Sequence, residues 1–360
     1  MNSKISILLI GPFPEPLSGV SIANQVVNEV LSEDSQFEVD LINTSYSRFD
    51  EEIGKFSFKK AFFYLTLNLN IFKIFKHKII YITPGQTFYG ILKYGFFIIL
   101  GSVFRKELII HVHGNHLGQE YKSLNGIKRN IFYFLVSRFR KGIVLSDSLK
   151  QNLTPFIDQG SIFCLPNFAQ DYLYTEDKKL VNDELRIFYL SNLMKEKGIF
   201  CLLNALKNLE KNNIIYKAKI AGNIDQKYSK EILNLFTELK NVEYIGVVNG
   251  DDKKNLLEWG NVFVLPTFYK MEGQPISILE AMATENLVVT TNHAGIPDIF
   301  KDKVNGYLVK KNSIKSIQDI LTYIATNKSE IEKIATYNKE YFLDNFTVNS
   351  FKKNLIKIIK

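Results

Sequence analysis

The chain has 360 residues, of which 46% are hydrophobic and 23% charged, so it is too long for one ordinary core and too apolar to be disordered. A formal charge of +8 suits an anionic partner, whether nucleic acid, acidic lipid or a phosphorylated substrate. The two cysteines, Cys164 and Cys201, both sit in apolar stretches and exclude a disulfide framework; they read as buried free thiols.

The run Ile5-Ser-Ile-Leu-Leu-Ile10 is too short for the core of a signal peptide and leads into Gly11-Pro12-Phe13-Pro14, so it reads as a first buried strand. Further strands are expected at 37–42, 78–82, 108–112, 142–145 and 161–165, with helices between most of them, for example at 20–31 and 125–139. Segment 56–78 fits two periods. Phe58, Phe62, Leu65, Leu69 and Phe72 make a helical stripe, while Leu65, Leu67, Leu69 and Ile71 alternate like a strand. We assign it as a helix. Lys55, Lys59, Lys60, Lys73, Lys76 and Lys78 lie in or beside its aromatics, which suits either a packed helix with a basic rim or a helix on an anionic membrane surface. The longest apolar run, 88–104, is interrupted by Lys93 and three glycines and reads as a buried or membrane-surface helix rather than a span.

Residues 171–184 are polar and without period, and are the expected linker. The alternation then restarts, with strands at 185–190, 217–221, 242–245, 262–265, 287–291 and 306–309 and helices at 198–211, 227–239, 276–284 and 313–326. The basic, amphipathic end, 342–360, contains Asn345-Phe346-Thr347, a cap for a last helix. Repeated β-then-α order predicts an α/β protein of two parallel-sheet domains, 1–170 and 185–341.

The segment Glu272-Gly-Gln-Pro-Ile-Ser-Ile-Leu-Glu280 follows a buried strand and a short loop. Pro275 stands where a helix would begin, since its fixed φ and missing N–H suit that place. The N–H groups of Ile276, Ser277 and Ile278 are therefore expected to be unpaired and to form an anion site, with Gly273 opening an approach to the backbone. Glu272 and Glu280 flank that site, and a carboxylate suits vicinal hydroxyls because it accepts two hydrogen bonds. This places a diphosphate at the helix start, a ribose at Glu280 and a sugar at Glu272. The alternative is a dipole partner and a solvated helix residue.

Lys197, just before Gly198 at the opening of another helix, is a point charge for a diphosphate. Pro16-Leu-Ser-Gly19-Val20-Ser21 is a shortened glycine loop, and the full dinucleotide fingerprint is absent, which argues against a simple NAD enzyme. Three of the five histidines fall between His111 and His116, and His113 is placed to orient a sugar hydroxyl at an interdomain cleft. No His, Cys, Asp or Glu set has zinc spacing, and no Asp-x-Asp stands in the loop context of a divalent ion.

With its continuation Ala-Met-Ala, the Glu272 to Glu280 segment resembles the donor signature of the retaining glycosyltransferases of family 4. Supporting pieces follow in order: Ser18-Gly19-Val20, His111-Val-His-Gly114, Leu145-Ser-Asp-Ser-Leu149, Leu165-Pro-Asn167, Lys197-Gly198, Tyr244-Ile-Gly-Val247, Ala294-Gly-Ile-Pro-Asp298 and Asn305-Gly-Tyr-Leu-Val309. The resemblance implies the GT-B fold, two Rossmann-like domains facing each other across a cleft, with the last helix packing back onto the first. It implies a nucleotide-sugar donor, UDP- or GDP-linked, retention of configuration, and no cofactor or metal.

Residue by residue, it implies that Glu280 holds the ribose and Glu272 the donor sugar. Gly273, Gln274 and Pro275 would line the sugar pocket, and Ile276, Ser277 and Ile278 would offer amides. Lys197 would meet the diphosphate, Val247 would lie near the base, and His113 would serve the acceptor side. Ser191-Asn192 replaces the Gly-Arg often found in the family, which removes one diphosphate contact at Asn192. Front-face attack by the acceptor, with the donor phosphate taking the proton, is the implied route.

The expected partners are a lipid-linked or oligosaccharide acceptor in bacterial surface polysaccharide assembly and an anionic membrane. This places the protein in the cytoplasm, at the inner face of the plasma membrane. Two rival readings are a nucleotide-sugar epimerase of the same fold and a nucleotide-sugar binding module without turnover. A nucleic-acid binder lacks a motif to support it.

Overall fold

The computed structural model describes residues 4–15, 18–45, 66–174 and 184–360. The chain divides into two units, 1–166 with 352–360, and 167–351. Each has its own apolar core.

In the first unit, β1 (Ile5–Gly11), β2 (Phe37–Asn43), β3 (Ile79–Ile82), β4 (Glu107–Val112), β5 (Lys141–Val144) and β6 (Ile162–Cys164) form one sheet in the order β2-β1-β3-β4-β5-β6. In the second, β7 (Arg186–Leu190), β8 (Lys217–Ala221), β9 (Val242–Gly246), β10 (Val262–Leu265), β11 (Leu287–Thr291) and β12 (Gly306–Val309) run β12-β11-β10-β7-β8-β9. All pairings are parallel. Strands such as β3, β10 and β11 are buried throughout, as central strands covered by helices on both faces must be. These strands lie where the sequence predicts them, with ends moved by a residue or two.

Among the described residues, the helices of the first unit include α1 (Gly19–Glu33), the single turn α2 (Lys73–Lys76), α3 (Phe88–Leu92), α4 (Gly95–Val103), α5 (Leu117–Ser123) and α6 (Gly126–Val136). Ser18 caps α1 in a capping box with Ser21, which satisfies two end groups reciprocally. The helix expected over 56–78 is helical in its described part. After residues 66–67 the winding tightens to 3-10 over Asn68–Phe72 and continues as α2, ending two residues early where the chain becomes extended at His77. Lys55, Phe58, Lys59, Lys60, Phe62 and Leu65 lie outside the described residues. The apolar run 88–104 is two helices, broken where the buried Tyr94 turns its hydroxyl onto Thr44, 2.9 Å away. Among the described residues no helix is long and apolar enough to cross a membrane.

The second unit adds α7 (Ile199–Lys211), α8 (Ser229–Thr237), α9 (Gly250–Trp259), α10 (Ile276–Ala283), α11 (Ile314–Thr326) and α12 (Ser329–Asn345). Helices α9 and α12 were not predicted. Of the expected terminal helical stretch 342–360, Phe342 to Asn345 belong to α12, and the last helix, α13 (Val348–Ile359), starts behind the expected cap, where the Thr347 hydroxyl accepts the Ser350 N–H at 3.1 Å. The domain limit expected at 170 falls at 166, and most of the expected linker, 175–183, lies outside the described residues.

Asn338 on α12 ties the second unit together. Fully buried, its amide donates to the carbonyls of Asn286 and Asn305, at 2.8 and 2.9 Å, and its oxygen accepts from the Asn305 amide. Asn286 joins α10 to β11, so this knot pins the exit of α10. Asn338→Leu strands three buried polar groups and is expected to cost about 3 kcal/mol. The measurement is urea unfolding followed by the fluorescence of Trp259, the single tryptophan.

Candidate functional site

The strand order of the second unit reverses beside β7. Strands β8 and β9 continue on one side, and β10 to β12 on the other. The loops leaving β7 and β10 diverge there, which opens a crevice at the carboxyl ends of the strands. Lys197 follows β7, and Glu272 follows β10.

The two loops are held together by backbone. The Phe268 N–H donates to the Glu196 carbonyl at 2.7 Å. Gly198 has φ of +83°, and a Cβ there would stand 2.4 Å from the Pro266 carbonyl oxygen. Only glycine lets the loops approach so closely. The approach brings Lys197 Nζ to 2.6 Å from Glu272 Oε2, with side-chain exposures of 15% and 8%. The Thr267 hydroxyl donates to the same oxygen at 2.9 Å. Lys197 also lies over the Tyr269 ring, 5.3 Å from its centre. Burial, with Glu272 and Glu196 nearby, pushes the Tyr269 phenol up. Oε1 of Glu272 has no partner among the described residues.

Helix α10 opens behind Pro275, whose φ of −62° and ψ of 119° make it the cap residue rather than the first helical one. Among the described residues, the N–H groups of Ile276 and Ser277 have no acceptor. The N–H of Ile278 is taken by the Pro275 carbonyl at 3.2 Å, which corrects the expectation of three open amides to two. A tight first turn consumes the third donor. The Gly273 carbonyl accepts from the Gly295 N–H at 2.9 Å and ties in the loop after β11. Gln274 is a clamp. Its side-chain oxygen accepts the Asn167 N–H at 2.6 Å, and its carbonyl accepts the Asn167 amide at 2.8 Å. The Asn167 side-chain oxygen is buried without a partner among the described residues.

Glu280 is buried on α10, and its Oε1 lies 2.7 Å from Nζ of Lys253 on α9. Burial pulls the Lys253 ammonium down, but the charge and hydrogen bond of Glu280, aided by Tyr172, outweigh it and hold the ammonium above the usual lysine range. Oε2 of Glu280 has no partner among the described residues. The two carboxylates are thus arranged alike: a lysine holds one oxygen of each and leaves the other open.

The remaining predicted residues are placed as follows. Asn192 is exposed on the loop after β7, its carbonyl accepting from the Tyr189 hydroxyl at 2.9 Å, and its side chain has no partner among the described residues. Val247, just after β9, is 61% exposed. Gly19 and His113 belong to the first unit. Gly19 is the first residue of α1. His113 follows β4, with its Nε2 3.1 Å from Nδ1 of the buried His111, which also meets the Tyr81 hydroxyl at 2.5 Å. Burial keeps both rings neutral, lowering His113 to about 3 and His111 well below its ordinary value.

Sequence reading missed Thr267 and Lys253, and quoted Asn167 only within Leu165-Pro-Asn167, without its partner Gln274. A signal for Lys253 exists, because Lys253, Leu256 and Leu257 have i, i+3, i+4 spacing and share the buried face of α9. A lysine on an apolar stripe must find a carboxylate. Among the described residues no group of three or more His, Cys, Asp or Glu side chains is arranged to hold a metal ion.

Lys253→Ala would leave Glu280 buried and unpaired. It is expected to cost about 3 kcal/mol at pH 7, since breaking one half of a buried pair exposes the desolvation cost of the other. An unpaired buried carboxyl titrates higher in the folded than in the unfolded state, so the loss should shrink as pH falls toward 4. Unfolding free energies of wild type and variant across pH 4 to 8 test both parts. Wild type keeps the Lys253 contribution throughout that range, because a raised lysine loses its stabilising effect only above its unfolded value.

Comparison with known proteins places this geometry. Residues 174–341 match the family model of the glycosyl transferases group 1. An uncharacterized glycosyltransferase of Methanocaldococcus jannaschii is 30% identical over 181 residues, 50% of this chain and 45% of that one. The capsular polysaccharide biosynthesis glycosyltransferase CapM of Staphylococcus aureus is 27% identical over 196 residues, 53% of this chain and 51% of its own. The chain spans about half the length of the curated relatives it matches. A solved structure of Anabaena Alr3699/HepE in complex with UDP and glucose superposes with a TM-score of 0.75 over 99% of both chains at 14% identity. The fold is GT-B, as the resemblance implies.

Proposed function

From a second unit that belongs to the group 1 glycosyl transferases, we propose that this protein moves a hexose-type sugar from a UDP- or GDP-sugar to a glycan or lipid-linked acceptor in bacterial surface polysaccharide synthesis. The observation that carries the proposal is the pair of half-engaged carboxylates on either side of two open amides at the strand-order reversal. In this reading Oε2 of Glu280 takes a ribose hydroxyl, Oε1 of Glu272 takes a sugar hydroxyl, and the Ile276 and Ser277 amides take the diphosphate. Lys197 turns part of its charge from Glu272 to the departing phosphate. Charge that grows on a leaving diphosphate is then met by an ammonium and a helix start, without a metal. Configuration is retained by front-face attack, with the donor phosphate taking the acceptor proton. In the first unit His113, neutral at physiological pH, suits a hydrogen bond to a hydroxyl on the acceptor side. The polysaccharide role rests on the name of CapM, and the UDP-sugar on the ligands of HepE. A lipid-linked acceptor would place the work at the inner face of the plasma membrane.

A thermal-shift screen of UDP-, GDP-, ADP- and dTDP-sugars should find one that raises the melting temperature. Glu280→Ala should weaken nucleotide binding about 10- to 100-fold, the range of one charge-assisted hydrogen bond. Glu272→Gln and Lys197→Met should lower turnover about 100-fold or more, with activity unchanged by EDTA. Near-normal turnover in either variant removes that residue from the mechanism, and loss to EDTA with recovery on Mg²⁺ ends the metal-free reading. Conversion of the donor without an acceptor would instead identify an epimerase.

A further inference from the structure

Helix α4 is apolar on both sides. Its inner side packs Phe97 and Ile98 into the core of the first unit. Its outer side carries Phe96 at 60% exposure, Ile99 at 39% and Val103 at 66%, spaced i, i+3, i+7 as one stripe. Helix α6 repeats the arrangement, with Phe132 and Leu135 inside and Ile127, Ile131 and Phe134 outside. Contacts of α3 and α4 with α6, and of α2 with α4, join these helices into one layer. The ring of Phe75 on α2 meets that of Phe104 edge-on at 4.7 Å, which continues the apolar surface. Contiguous exposed apolar side chains mark interaction sites, whereas apolar residues scattered singly do not.

The charges carried by α2, α3, α4 and α6 and the residues between α2 and α4 have one sign, while the nearby Glu120 on α5 is engaged by His116 and the Phe88 N–H. Residues 66–106 contain six Lys and Arg and no Asp or Glu. Residues 126–138 add Lys128, Arg129 and Arg138, again without an acid. The cations stand beside the aromatics. Lys128 is about 6 Å from the rings of Phe88 and Tyr89, and the Arg138 guanidinium is 4.2 Å from that of Phe134. Apolar side chains that can sink below a row of cations match the boundary of an anionic bilayer, with long basic side chains reaching the headgroups. A second copy would set this surface against itself and bring like charges together without a counter-charge. At nine residues α4 is too short to span a bilayer, so it would lie in the interface.

We propose that the outer layer of α3, α4 and α6 is the surface by which this protein docks on anionic phospholipid. The inference deepens the membrane-side reading above and moves its seat from segment 56–78 to the helices of 88–136. It draws nothing from the second unit's site.

The test is co-sedimentation of the full chain with phosphatidylglycerol/phosphatidylcholine vesicles against pure phosphatidylcholine vesicles. About tenfold or greater preference for the anionic vesicles is expected, weakening as salt rises. Phe96→Ser with Ile127→Ser should abolish binding to both. Lys128→Gln with Arg129→Gln should lose the anionic preference. These exposed substitutions should leave the nucleotide-sugar thermal shift intact, so failure here and failure of the transferase reading are told apart. Absence of vesicle binding by the wild type overturns the proposal. So does equal binding to both vesicles. A dimer in light scattering that Phe96→Ser disperses would also overturn it, by assigning the patch to a second copy.

Discussion

The contact between Lys197 and Glu272 governs what the second unit can do. Taking an ammonium and a carboxylate out of water costs several kcal/mol for each, and their attraction repays this only when geometry and further hydrogen bonds are good. Here the Thr267 hydroxyl supplies the further bond, and Gly198 supplies the close approach of the loops. An ion pair so placed is a poor source of stability. Its value is positional: it joins the ends of β7 and β10 where the sheet parts, and holds a carboxylate oxygen and an ammonium within reach of the start of α10.

The Lys253–Glu280 pair repeats the device one turn deeper. Two buried carboxylates on one short segment would repel each other and lean toward protonation if left alone. A lysine for each supplies the opposite charge at contact distance. Under the proposed function, the open oxygen of each would accept hydrogen bonds without bringing net negative charge toward a diphosphate. Two lone carboxylates would oppose such an anion, whereas two pairs would leave the amides between them free to receive it.

The fold was legible because parallel strands covered on both faces are written as apolar runs, and runs such as Val262–Leu265 and Leu287–Thr291 can be read without neighbours. Helix α9 was not legible, because Gly250-Asp-Asp-Lys-Lys-Asn carries charge where an amphipathic helix shows apolar residues. Its lysine is buried only because Glu280, 27 residues later, lies opposite. Glu272, Glu280 and Lys197 were found from local context: a strand, a loop, a proline and a glycine. What they touch was not found, since long-range pairing leaves no local period. The count of open amides failed for a related reason. The turn at Pro275 closes one residue more tightly than an ideal helix start, and spacing alone does not reveal it.

The two units resolve the same alternation differently. The second has the strand order of a dinucleotide-binding sheet, reversing between its first and fourth strands, while the first reverses between its first and third. At the first unit's reversal stand residues 12–15 and the loop after β3, and no lysine–carboxylate pair like those of the second unit lies there among the described residues. Its hydrogen-bonded polar groups run from Tyr81 on β3 to the buried His111 on β4 and the half-buried His113 after it. Its charge is displaced to the outside of the helical layer, where cations flank exposed aromatics rather than carboxylates. The net basic character read from composition is therefore divided by task. In the second unit buried lysines are each met by a glutamate, and in the first several cations lie on the outer surface of the helical layer, the surface proposed above to meet anionic lipid.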